Sequence, residues 1–266
     1  MLAKIKNSIS KMKNHTTTLS AVSCQLSTFL IIFICSLISP QPAYSFNIPE
    51  KFEYDLTWAG IKAGTSTLEI ANAGNSIKII STAKSVKWVS VFYDVDDRVE
   101  STLVKNPDML FVGQPVKYRI KLQEGRQRRD KEVIFNCNTG KAVYIDYLAK
   151  EKQEFAVPFF IFDPLSSFYY IRTLQLEVGH SVYVTVFDSK KTWNVEIQVL
   201  RKEKVALPTG TVDTIVIKPL MKSEGIFYKK GNIHIWLTDD EKRIPVKLQT
   251  KVAVGSVTAT LVGGRY

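Results

Sequence analysis

The chain has 266 residues, 45% of them hydrophobic, with 36 Lys and Arg against 25 Asp and Glu and a net charge of +11. That mixture excludes a disordered, weakly hydrophobic polymer. Three cysteines in such a length exclude a disulfide-built scaffold.

The N-terminal part is set apart by its charges. Lys4, Lys6, Lys11 and Lys13 precede any acidic residue, and the first acid is Glu50. An apolar run, Phe29 to Ile38, follows, and Ala43-Tyr44-Ser45 fits the small-x-small pattern of a signal peptidase site. The run is too short to cross a bilayer comfortably. The pattern predicts a secretory signal peptide over residues 1–45, cleaved before Phe46, and a single β-rich domain over residues 46–266. An uncleaved membrane anchor is the rival reading. The first 45 residues hold four of the 36 bases and none of the 25 acids, so the remaining 221 carry +7. Their one cysteine, Cys137, stands beside a turn and reads as a small packing residue. Net positive charge outside the cytoplasm suits anionic headgroups, although it equally keeps a surface soluble. Export argues against a nucleic-acid partner, and no membrane span is expected after cleavage.

Beyond residue 50 the period-two alternation of half-buried strands dominates. Tyr93 to Glu100 places Asp94, Asp96, Arg98 and Glu100 on one face. Paired carboxylates suit acid–base work or calcium, but Arg98 lies among them and calcium wants six or more oxygens, so an internally paired strand face is expected. In Val116 to Leu122, Tyr118, Ile120 and Leu122 share a face opposite Lys117, Arg119 and Lys121. The basic run Arg126 to Lys131 divides between two faces and makes no stripe.

One stretch breaks the alternation. Asp163 is a suitable N-cap and Pro164 suits a first helical position. Leu165, Phe168, Tyr169 and Arg172 follow at i, i+3, i+4 and i+7. A short helix over about residues 163–173 is predicted, approached by the apolar Val157 to Phe162, and acting as a plug or a lid on a curved sheet. Strands resume with Val182, Val184 and Val186, then with Trp193, Val195, Ile197 and Val199, and later with Ile244, Val246 and Leu248. Turns are expected at Ala73-Gly74-Asn75, Asn138-Thr139-Gly140, Ser189-Lys190-Lys191, Pro208-Thr209-Gly210, Lys230-Gly231-Asn232 and Asp239-Asp240-Glu241. In the last of these Asp240 should reach Arg243. At Gly255-Ser256 the apolar phase switches, which predicts a bulge or sharp bend. The sum is a mainly β, single-domain, curved antiparallel meander of about a dozen strands, forming an open or closed barrel with one short helix.

Several of these segments resemble a family of exported Gram-negative bacterial proteins known as a domain of unknown function. They are Tyr54 to Gly64, Asp163 to Arg172, Leu207 to Gly210, Ile235 to Val246, and Gly255-Ser256-Val257. The resemblance covers most of residues 50–263 and implies export to the periplasm or cell envelope and a β-rich fold. It implies no reaction.

Candidate chemistry is sparse. Ser166 and Ser167 lack a nucleophile elbow, and His180 and His234 lack metal-ligand spacing and a nearby cysteine pair. No catalytic, metal or cofactor site is expected. What remains is aromatic and aliphatic: Phe168, Tyr169, Leu165 and Arg172 on the helix, with Trp58 and Trp236 on strands, are the candidate ligand-binding residues. The sequence reading is a non-enzymatic periplasmic envelope protein holding a lipid or other amphiphile in a curved sheet. The alternatives are an envelope assembly scaffold with a solid core and a protein partner, and a hydrolase using Asp94 and Asp96.

Overall fold

The computed structural model describes residues 47–105, 113–220, 233–252 and 255–266. In chain order the elements are β1 (Glu50–Trp58), β2 (Ile61–Ala73), β3 (Ser76–Ser85), α1 (Lys87–Ser90), β4 (Asp96–Val104), β5 (Gln114–Glu124), β6 (Gln127–Asn136), β7 (Lys141–Asp146) and β8 (Glu151–Ala156). After them come α2 (Pro164–Ile171), β9 (Ser181–Asp188), β10 (Lys191–Leu207), β11 (Gly210–Leu220), β12 (Ile233–Thr238), β13 (Pro245–Lys251) and β14 (Ser256–Arg265). The 14 strands form one antiparallel sheet, in which every neighbour is a sequence neighbour except for β1 against β14.

The meander is therefore joined across its chain ends and open at one place, between β8 and β9. Bulges in the β1–β14, β1–β2, β4–β5, β10–β11 and β12–β13 pairs bend the sheet into its barrel-like curve. Gly64 serves the same curvature, because a Cβ there would lie 2.4 Å from the Lys84 carbonyl oxygen. The β8–β9 seam is held by other means. Phe162 makes a short parallel bridge to β9, donating to the Thr185 carbonyl (3.0 Å) while its own carbonyl accepts from Phe187 (2.8 Å). Phe155 of β8 meets Phe187 of β9 at 5.6 Å, and Lys190 pairs with Glu151 at 2.6 Å.

Two apolar clusters fill the concave side. One gathers Phe52, Ile70, Ile79, Tyr169, Ile197 and Ile217 around α2; the other gathers Tyr118, Val133, Phe135, Tyr144, Ile161 and Phe187 behind the seam. Leu165 packs against both. The alternation read from β5 holds, with Tyr118, Ile120 and Leu122 buried.

Helix α2 is fastened at both ends. Asp163 is fully buried and accepts from the amides of Leu165 and Ser166 (both 2.9 Å) and from the hydroxyls of Ser166 (2.8 Å) and Ser101 (2.6 Å). The Asp163 amide donates back to Ser166 Oγ, completing a capping box. At the other end Arg172, 1% exposed, grips Glu50, 2% exposed, through Nη1–Oε1 at 2.6 Å and Nη2–Oε2 at 3.0 Å. Arg172 also donates to the Arg243 and Lys242 carbonyls and lies over the Phe52 and Tyr169 rings.

Three expectations change. Among the described residues the strands number 14, in keeping with about a dozen, but a second helix, α1, accompanies the expected one. Gly255, at φ +80°, belongs to the β13–β14 turn and not to a bulge within a strand, because the chain reverses there. Arg243 pairs with Asp239 (3.3 Å), whereas Asp240 accepts the Arg243 amide (3.1 Å), a tighter Asx-type turn than the side-chain contact expected. The segment 1–46 and the turn Lys230-Gly231-Asn232 lie outside the described residues.

Removing one partner of a buried ion pair leaves an uncompensated charge, so Arg172→Met is expected to lose about 3–5 kcal/mol in urea unfolding. Adding Glu50→Leu should recover part of it; a single-variant loss below about 1 kcal/mol would show that the pair does not anchor α2. Asp163 gives a pH test. Burial raises its carboxyl from the ordinary 3.8, against the lowering effect of its hydrogen bonds. Folding therefore takes up a proton between the unfolded and folded pKa values. The stabilisation is complete below the unfolded pKa and is lost as pH rises through the folded one. Asp163→Asn keeps a capping oxygen without that titration. From about pH 4 to 7 wild type should lose stability relative to the variant, by about 1.4 kcal/mol per unit of raised pKa. A difference that stays constant with pH would show an ordinary carboxyl.

Candidate functional site

Antiparallel strands put alternate hairpins at opposite ends of the sheet. One end carries the Glu50–Arg172 pair and the β12–β13 hairpin with Lys242 and Arg243; it is the closed end. The other carries the β1–β2, β5–β6, β9–β10 and β13–β14 turns and the α1 segment between β3 and β4. Helix α2 fills the concavity toward the closed end only. Between it and the other end remains a cavity of about 400 Å³.

The cavity has an apolar body and a mixed rim. Its floor is one face of α2, with Pro164, Leu165, Ser167, Phe168 and Ile171. Its walls are inward residues of the sheet, among them Leu68, Val184, Val195, Ile197, Ile235 and Ala259. Its rim is made of partly exposed strand-end residues, Thr82, Ala83, Asp97, Gln249 and Thr250, so it opens away from the buried ion pair. The volume falls within the roughly 300–1,000 Å³ of small-molecule sites, and an apolar body with a few polar rim groups is their usual composition.

The helix stripe expected from the sequence is divided by this geometry. Leu165 and Phe168 line the cavity; Tyr169 and Arg172 are buried toward the closed end, beside Phe52 and Glu50. Burial pushes the Tyr169 hydroxyl far above its ordinary range, in keeping with an interior position. Trp58 pairs with the lining residue Val257 at the rim but is not itself part of the lining. Trp236 faces the other side of its strand. Its indole N–H donates to Glu203, and Lys247 sits 4.5 Å from its ring, while Ile233 and Ile235 on the opposite face line the cavity.

The polar clusters are internally satisfied. Arg98 pairs with Glu100 (2.6 Å), Lys78 with Glu100 (2.7 Å), and Lys84 with Asp96 (3.4 Å). Asp94 lies just before β4 and accepts from Gln123 and Ser85. A groove of about 360 Å³ on the convex face holds Lys78, Arg98, Lys117, Arg119 and Lys121, but Glu100, Glu132 and Asp130 pair with most of its cations. Ser166 is spent on the capping box, and Ser167 Oγ donates to the Pro164 carbonyl (2.9 Å). His180 is exposed near Glu177, and the His234 ring lies 6.1 Å from that of Trp236. Cys137 is half-buried, with its thiol raised by that burial. Among the described residues no group of three or more His, Cys, Asp or Glu side chains is placed to hold a metal ion.

Sequence reasoning missed the small residues that leave the space, Ala83 and Ala259, and an acid at the rim, Asp97. Alternation had placed Asp97 opposite Asp96 and Arg98, which is the signal that could have found it. No helix among the described residues is long and apolar enough to cross a membrane.

Comparison with solved structures finds a beta-barrel-like protein of domain of unknown function DUF1849 from Brucella abortus. It aligns at 12% identity and a TM-score of 0.48, over 82% of this chain and 97% of its own. A Bacteroides fragilis protein, inferred to be exported and described as having a YmcC-like fold, aligns at 6% identity and a TM-score of 0.33, over 84% and 98% of the two chains. No curated protein matches in sequence. Residues 53–262, from within β1 to within β14, match the family described as protein of unknown function DUF3108, and the chain belongs to that family.

Proposed function

We propose that the protein is a non-enzymatic carrier or sensor of the periplasmic cell envelope that holds the apolar part of an amphiphile in the cavity above α2. The observation that carries this reading is the cavity itself: about 400 Å³ of unfilled space with an apolar body, next to a rigidly fastened helix. A concave apolar surface of this size that opens to solvent is the usual form of a ligand site. The polar rim with Asp97, Gln249 and Thr250 suits a head group held in water. The signal-like segment 1–45 supports export. Of the carboxylates of the hydrolase reading, Asp96 is paired with Lys84 and Asp94 accepts from Gln123 and Ser85, and neither lines the cavity. The scaffold reading requires a solid interior on this side of α2.

The test is native mass spectrometry on protein expressed from the full sequence in a Gram-negative host and purified without detergent. A persistent amphiphile-sized adduct is expected, on a mass showing residues 1–45 removed. Phe168→Asp should abolish the adduct by placing a charge in the floor. Ala259→Trp should reduce it by filling the space with an apolar ring. Adducts that survive both variants, or a clean native mass in wild type with no amphiphile in a parallel organic extract, would overturn the reading.

A further inference from the structure

The segment that interrupts the alternation at the cavity end carries a second message. Helix α1 buries only Val89. Trp88, Val91 and Phe92, at i, i+3 and i+4, turn outward at 45%, 86% and 61% exposure, and Ile61 of the neighbouring turn is 62% exposed. Large apolar side chains so grouped on a surface usually mark a binding face.

This prong is built and not loose. Phe92 and Tyr93 amides both donate to the Val89 carbonyl, continuing the turn past the helix. The Trp88 indole donates to the Lys62 carbonyl (3.2 Å), the Val86 amide to the Ala63 carbonyl (2.9 Å), and Ser85 and Ser90 hydroxyls meet at 2.7 Å. Tyr93 lies across the β5–β6 turn, where Gly125 has φ +57° and a Cβ would stand 2.9 Å from the ring. Glycine is needed there both for the backbone and for the ring.

Its charge surroundings select among occupants. Lys62 and Lys84 flank the prong, 52% and 67% exposed although paired with Asp55 (2.6 Å) and Asp96 (3.4 Å), and Lys87 lies on it. The other turns of this end add Arg128, Lys150, Lys191 and Lys251, all exposed. Aromatic and aliphatic residues ringed by lysines at one end of a molecule are the pattern of interfacial membrane attachment, where rings enter the headgroup layer and cations meet phosphates. The β3 and β4 residues that flank α1, Ala83 and Asp97, are rim residues of the cavity. An attached surface would therefore sit beside the mouth.

We propose that this end docks on an anionic phospholipid bilayer, with Trp88, Val91 and Phe92 entering the interface and Lys62, Lys84 and Lys87 facing the phosphates. The proposal extends the carrier reading, since docking would bring the cavity to its source or target of amphiphile, and its test separates the two. Purified protein is sedimented with vesicles of phosphatidylcholine containing phosphatidylglycerol, and with phosphatidylcholine vesicles alone. Binding to the anionic vesicles only, weakening with added salt, is expected. Val91→Asp/Phe92→Asp should reduce it about tenfold or more, the effect of losing the burial of large apolar side chains. Both positions are exposed, so the variant should melt like wild type and keep the adduct seen by mass spectrometry. Lys84→Glu/Lys87→Glu should weaken the binding without abolishing it. Equal sedimentation with both vesicle types, no sedimentation, or unchanged binding of the aspartate variant would overturn docking. In those cases an adduct sensitive to Phe168→Asp would leave the carrier reading standing. Vesicle binding without any adduct would support docking and remove the carrier.

Discussion

The geometry of this protein hangs on the buried pair Arg172–Glu50. It joins the last turn of α2 to the first residue of β1, across 122 positions of sequence, with both side chains almost fully out of water. Such a pair gains little net stability, because desolvating two charges offsets most of their attraction. What it supplies is position. The bidentate fork has one good geometry, and the added bonds to the Lys242 and Arg243 carbonyls pull the β12–β13 hairpin into the same knot. The Tyr54 hydroxyl, bonded to the Pro245 carbonyl at 2.8 Å, tightens it further.

From that knot the rest follows. With Arg172 held at the closed end and Asp163 tied to Ser101 of β4, α2 cannot slide along the concavity. An eight-residue helix fills only part of a curved sheet of 14 strands, so space remains on the side away from the knot. The seam between β8 and β9 is part of the same arrangement. The chain leaves β8, bridges β9 through Phe162, and turns inward as α2, so the segment that would have to be displaced for a full ladder is the one that supplies the floor. A gap in hydrogen bonding is exchanged for a helix inside the sheet, and aromatic contacts with one ion pair cover the join. The short edge strand β8 carries Glu151, Lys152 and Glu154, which discourages pairing with another chain.

Local rules read most of this from the residues. The cap, proline and stripe of Asp163 to Arg172 specified α2 to within a residue or two, and period two separated the apolar from the polar faces of β5, β10 and β13. The same rules missed α1, because Val86 to Tyr93 is rich in β-branched and aromatic residues that favour strands, and because its apolar face looks outward, where burial patterns give no signal. They misjudged Gly255 since a glycine at a phase switch serves a bulge and a hairpin turn alike. For Trp236, period two sets it opposite Ile233 and Ile235. Which of the two faces was concave depended on curvature, and the candidate ligand contact went to the aromatic side instead of the aliphatic one.

The sequence by itself determined most of the strands, their antiparallel order, and the position and capping of α2. These follow from spacing and backbone preference over a few residues. Only the tertiary structure decided that β1 pairs with β14, that Arg172 finds Glu50, that Leu165 and Phe168 face an open cavity while Tyr169 does not, and that α1 stands at its rim. Each of these is a meeting of residues distant in the chain. It is set by how far bulges curl the sheet and where a helix lodges inside it, and those quantities are properties of the whole sheet that no short stretch encodes.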